Sequence, residues 1–144
     1  MKMNSSDIKK YPKLAYYVKY NIPQVLHVSP IIMALKKVGG IKKSKIKQAL
    51  KWGIGPEINI TTLVKAYGAF TPNSKSNEIR IDIKLVEQFE KGKDVRLARA
   101  GNVYLIGVTL LHELVHWADD QNGKDRPGEE GEEFEKLIYG KVVN

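Results

Sequence analysis

The sequence predicts a mostly helical α+β fold with a small sheet, on three observations. Apolar residues recur at helical spacing in several stretches. One segment, Glu78-Ile79-Arg80-Ile81-Asp82-Ile83, alternates apolar and polar residues, the mark of a half-buried strand. The chain has 144 residues, 42% hydrophobic and 28% charged, the balance of a globular chain rather than a disordered one. No internal repeat or low-complexity linker divides it. Residues 1–144 therefore read as a single domain, with a helical, basic part over 1–70 and, over 71–144, the strand and the two helices that carry the chemistry.

The elements follow in order. From Tyr11 to Tyr20, Leu14, Tyr17 and Val18 share one helical face, and Pro23 is expected to end the segment. A helix restarts at Ser29-Pro30, with serine placed to cap it and proline at its first position. Ile31, Ile32, Leu35 and Val38 form its stripe, and Gly39-Gly40 stops it. A lysine-rich helix runs from about Lys42 to Trp52 with Ile46, Ala49 and Leu50 inward. Ile58 to Thr61 reads as a short strand or a loop, and Thr71 to Asn77 as a loop. After the strand at Glu78, a short helix spans Leu85 to Glu90. The most apolar helix runs from about Ala98 to Asp120, and Gly123 marks a turn behind it. The last helix covers Gly128 to about Val142, with Phe134, Leu137 and Ile138 as its buried stripe.

Composition excludes several classes. The chain has no cysteine, so disulfides and thiolate metal sites are out, and any metal must rest on His, Asp or Glu. The N-terminus has no apolar core of a secretory signal. The apolar run around Val103 to Val115 is broken by Thr109, His112 and Glu113 and is too short to span a bilayer. A net charge of +8 suggests nucleic acid. However, the lysines crowd the first half (Lys36, Lys37, Lys42, Lys43, Lys45, Lys47, Lys51), the last quarter is acidic, and no nucleic-acid motif is present.

The chemistry lies in His112-Glu113-Leu114-Val115-His116. Two histidines four residues apart on a helix occupy one face, so both imidazoles can meet one cation. Glu113 is turned about 100° around the helix. That sets its carboxylate beside the metal, where a Glu serves as general base for a water that zinc makes acidic. A catalytic site needs a third ligand and an open position. The segment after Pro127-Gly128 offers Glu129, Glu130, Glu132 and Glu133. An antiparallel return of the last helix brings one of them opposite His116. Glu129 is preferred, because it keeps its carboxylate off the apolar stripe and leaves Glu133 one turn on as a supporting group. Imidazole and carboxylate donors on a helix favour Zn2+. Asp119 or Asp120 is placed to accept a hydrogen bond from a ligand histidine. Tyr104, Tyr139 and Arg126 are candidates for stabilising an oxyanion. His27 has no partner in sequence and reads as a surface or core histidine.

The run from His112 to Asp120, then Pro127-Gly128-Glu129-Glu130-Gly131 and Phe134-Glu135, together with Asn77 to Asp82 and Leu85 to Glu90, resembles the zincin-like metallopeptidase toxins of bacterial polymorphic toxin systems, in particular metallopeptidase toxin 3. The resemblance covers about Pro72 to Gly140; the first seventy residues carry none. It implies a zincin-like fold, with the strand at Asn77–Asp82 lying beside the active-site helix where extended substrate binds. It also implies an antibacterial effector that hydrolyses a peptide bond in a target-cell protein or peptide. The expected chain is made in the bacterial cytoplasm without a signal peptide, is secreted or injected with a delivery protein into the cytoplasm or periplasm of a target cell, and, as the resemblance implies, is neutralised in the producer by an immunity protein. The alternative is a zincin-type regulatory peptidase that cleaves or senses a transcriptional repressor, with the two helices between Ile31 and Trp52 as a helix-turn-helix.

Overall fold

The side chain of Asn4 accepts from the Asp7 N–H at 2.8 Å and so opens α1, Ser5–Lys10. The computed structural model describes residues 1–72, 77–94, 96–97, 103–121 and 130–139; at 96, 97, 103, 130 and 139 it describes the backbone alone. Pro12 starts α2, Pro12–Tyr16, where its missing N–H costs nothing. The Glu90 carboxylate accepts from the Lys13 and Leu14 N–H groups at 3.3 and 2.6 Å. Leu14 and Val18 are fully buried and Tyr17 packs against the same core, as their spacing predicts.

Pro23 does not end this path. The helix widens to a π segment, Tyr17–Asn21, and tightens to a 3-10 segment, Ile22–His27. Pro23 falls in the first turn of the tighter segment, where its missing N–H is tolerated. Helix α3, Ser29–Gly39, begins at Ser29 itself: Val28 holds the cap position, and no side chain caps the end. Ile32, Leu35 and Val38 are buried, and Gly40 closes the helix in a left-handed conformation at φ 63°. Helix α4, Lys43–Leu50, buries Ile46, Ala49 and Leu50 and leaves its lysines exposed.

Glu57–Thr61 is a strand, β1, which settles the ambiguity of that segment. The chain start joins it. Lys2 bridges Glu57 in parallel, and Met1 is fully buried with its amine donating to the carbonyls of Ala49 and Lys51. Burial, helped by the Lys2 charge, pushes the pKa of that amine down to about 5. Strand β2, Gly68–Ala69, is too short to announce itself by periodicity. Strand β3, Glu78–Asp82, is the predicted one. The sheet order is β1-β3-β2, with β3 parallel to β1 and antiparallel to β2.

Helix α5, Ile83–Glu90, starts two residues earlier than its pattern suggests, taking Ile83 from the strand. Two short pieces, β4 at Arg96–Leu97 and β5 at Val103–Tyr104, pair antiparallel. Val103 and Tyr104 are thus strand where helix is expected, and residues 98–102 of that expectation lie outside the described residues. The central helix α6, Leu105–Gln121, buries nearly every side chain to Asp119. Asp94 accepts from the Ile106 N–H at 3.1 Å at its start.

Helix α7, Glu130–Tyr139, packs against α6 and α3. Phe134 is fully buried, but Leu137 is 48% exposed, against expectation. The buried face runs through Gly131, Phe134 and Glu135, with Ile138 half-buried beside it, and position 137 turns off that face. One buried apolar cluster runs from Met1 to Phe134, so both parts of the chain contribute to the same core. The architecture is α+β, mostly helical with a small three-stranded sheet. Among the described residues, no helix is long and apolar enough to cross a membrane.

Candidate active site

A cleft of about 770 Å³ opens beside α6 and is lined by His112, Glu113 and His116 from that helix. Glu132 of α7, strand β2 with Phe70, and the segment before β2 complete it. The i, i+4 spacing does what the sequence predicts: the Nε2 atoms of His112 and His116 stand 3.3 Å apart. Two nitrogens bound roughly 2.0–2.1 Å from one tetrahedral ion stand roughly 3.3–3.4 Å apart, so the pair fits a shared zinc. Glu113 Oε1 is 3.9 Å from His112 Nε2.

Helix α7 holds His112 from two sides. Its Glu135, fully buried, sits 2.8 Å from His112 Nδ1 and favours the tautomer protonated there, which leaves the Nε2 lone pair facing His116. One turn earlier, Gly131 lies against the other nitrogen. A Cβ at 131 would come within 2.2 Å of His112 Nε2, so only glycine admits this approach. Gly131 and Glu135, four residues apart, thus bracket one imidazole from one helical face.

Sequence reasoning gave Glu135 no role and looked to Asp119 or Asp120 for a carboxylate on a ligand histidine. The structure gives the carboxylate on His112 to Glu135, while Asp119 is buried and Asp120 half-buried farther along α6. A signal existed: Glu135 falls between Phe134 and Ile138 on the buried face, where a carboxylate needs a partner.

The third ligand expected at Glu129 lies outside the described residues, and the side chain of Glu130 is not described. Glu132 lines the cleft, and Glu133 is exposed. Among the described residues, no three His, Asp or Glu side chains gather as a cation site. Of the oxyanion candidates, Tyr104 faces elsewhere: it packs on Tyr17 and Phe89, with ring centroids 5.9 and 5.4 Å away, and lines a separate cavity with Lys13 and Asp94. Arg126 and the Tyr139 side chain are outside the description. His27 is exposed.

Strand β3 packs against α6, as the resemblance implies, and lies between β1 and β2, with β2 pairing only to its Arg80 and Ile81. Strand β2, one of the two edges of the sheet, is pressed onto α6 at Gly68, where a Cβ would lie 2.8 Å from Thr109 Cγ2 and 2.9 Å from Glu113 Cγ. Asp82, at the end of β3, clamps the segment before β2. Its carboxylate accepts from the Leu63 N–H at 3.0 Å, and its own N–H donates to the Tyr67 carbonyl at 2.8 Å.

Fold and site together define an α+β protein with a histidine and carboxylate cleft cut between a buried helix and a sheet edge. The family model described as metallopeptidase toxin 3 matches residues 7–140, and the chain belongs to that family of metallopeptidase toxins. The match begins well before Pro72, so the helical, basic part from residue 7 onward belongs to the family unit as well. No curated protein and no solved structure matches the chain.

Proposed function

We propose that this protein is a zinc-dependent endopeptidase acting as an antibacterial effector toxin, with His112, His116 and Glu129 as metal ligands and Glu113 as general base. The observation that carries the reading is the 3.3 Å approach of two Nε2 atoms in a cleft that Glu113 also lines. Bound there, zinc would supply a Lewis acid that polarises the scissile carbonyl and brings water into range for deprotonation near neutral pH. Glu113 takes the proton from the attacking water and delivers it to the leaving amine. Glu135 keeps the His112 ring oriented and its proton on Nδ1. An extended peptide adds to the outer edge of β2, where the backbone of Gly68 and Ala69 has no strand neighbour among the described residues. Helix α6 sets the distance from that edge to Glu113, because a Cβ on Gly68 would already lie 2.9 Å from Glu113 Cγ.

Membership of a toxin family supports a target in another cell, reached by secretion or injection, and an immunity protein in the producer. The test is expression of the chain in a bacterial host, once in the cytoplasm and once with an export signal, beside Glu113→Gln. Wild type arrests growth in one compartment. Glu113→Gln loses about 10²–10⁴-fold in peptidase rate and is harmless, yet still binds one zinc per chain. An equally toxic Glu113→Gln protein, or a wild type that takes up no zinc, would overturn the reading.

A further inference from the structure

The wall of the cleft facing away from α6 and α7 carries a different chemistry. It presents two cations, Lys65 before β2 and Lys84 on α5. Both are exposed, and among the described residues neither has a carboxylate partner. Lys65 has φ 55°, and among the described residues it is the one non-glycine side chain in that conformation. A lysine in the left-handed region has to be held there by its surroundings. The clamp by Asp82 on Leu63 and Tyr67 closes the two ends of the segment around it. One Asp82 oxygen is thereby engaged by the Leu63 N–H. The remaining acids of the cleft, Glu113 and Glu132, lie on the helices, where a divalent cation would offset their charge.

We propose that the cleft selects peptides with an acidic side chain beside the scissile bond, and that Lys65 and Lys84 read that charge. This deepens the peptidase reading and rests on it. A backbone that docks on β2 runs past Lys65, so a carboxylate on the bound peptide meets the two ammonium groups at the rim, while the scissile amide faces Glu113. Exposed ion pairs of this kind select modestly, and two of them together give about five- to tenfold discrimination. The preference weakens as salt is raised.

The probe is a randomised decapeptide pool. One portion is digested with the zinc-loaded protein and the new termini are sequenced by mass spectrometry. Another is passed over immobilised Glu113→Gln protein, and the retained peptides are sequenced. Asp and Glu are enriched next to the cleaved bond and in the retained fraction. Lys65→Gly with Lys84→Ala abolishes both enrichments, and glycine at 65 accepts the positive φ, so the segment keeps its path. Lys36→Ala with Lys37→Ala removes the same charge from the exposed side of α3 and leaves both enrichments intact, which separates the cleft from the general basicity of the chain. Cleavage without acidic enrichment, or enrichment lost equally in the α3 variant, overturns the proposal and leaves the peptidase reading standing. Retention that depends on Lys65 and Lys84 without any cleavage sinks the peptidase reading and keeps the acidic-peptide cleft. Neither cleavage nor selective retention sinks both.

Discussion

On the helix side of the cleft His112 is 7% exposed and gripped by Glu135 and Gly131, whereas across the cleft Val64 is 85% exposed and its segment is tied down through Asp82. The first side is set by close packing, in which one added methyl group has nowhere to go. The second is a loop whose ends are fixed and whose side chains face water. If the proposed function holds, bond-breaking rests on a closely packed pair of helices and target choice on an exposed segment held only at its ends.

The largest effect is expected from Gly131→Ala. Alanine in place of glycine inside a helix ordinarily stabilises by about 1 kcal/mol. Here the new Cβ would sit 2.2 Å from His112 Nε2. Zinc affinity should fall by about 100-fold or more, and activity with it, measured by competition with a chromogenic chelator. Wild-type zinc affinity in this variant would show that α7 does not constrain the histidine. Next in size is Glu135→Gln, which keeps the shape and removes the charge behind His112; zinc affinity drops about 10–100-fold on the same assay. Smaller again is Asp82→Ala on the loop side. It leaves the Leu63 N–H without its acceptor and slackens the segment. KM rises, by less than about tenfold, with kcat and zinc content unchanged, as expected when uniform binding is lost. A fall in kcat would mean that the two sides of the cleft are not separable.

The smallest effect on the site comes from a group outside both walls. The Met1 amine has a pKa of about 5 when folded against 8.0 when free. Between those values the unfolded chain binds the extra proton, so this contribution to stability is complete above pH 8 and is lost as pH falls toward 5. Urea midpoints should decline over that window, and an NMR titration of the 15N-labelled amine should place its midpoint near 5. A midpoint near 8 would remove Met1 from the core.

How far the sequence revealed this follows from which interactions are local. The histidine pair, the stripes of α3 and α4 and strand β3 rest on spacing along one element, and spacing is written in the chain. Strand β2 has two residues and exists because β3 and α6 flank it. Glu135, Gly131 and Lys65 gain their meaning from partners tens of residues away or from a backbone angle, neither of which periodicity reports. The same cause explains Leu137. Burying Glu135 against His112 turns the inner face of α7 through Phe134 and Glu135, and 137 is left in water.

The clamp at Asp82 also bears on how such a toxin changes over generations. Its two hydrogen bonds, one from the Leu63 backbone and one to it at Tyr67, grip main chain and ignore side-chain identity. On the proposed reading, the residues between those points can be exchanged without loosening the clamp, within what the positive φ at position 65 allows, while Glu113 and the histidine pair stay as they are.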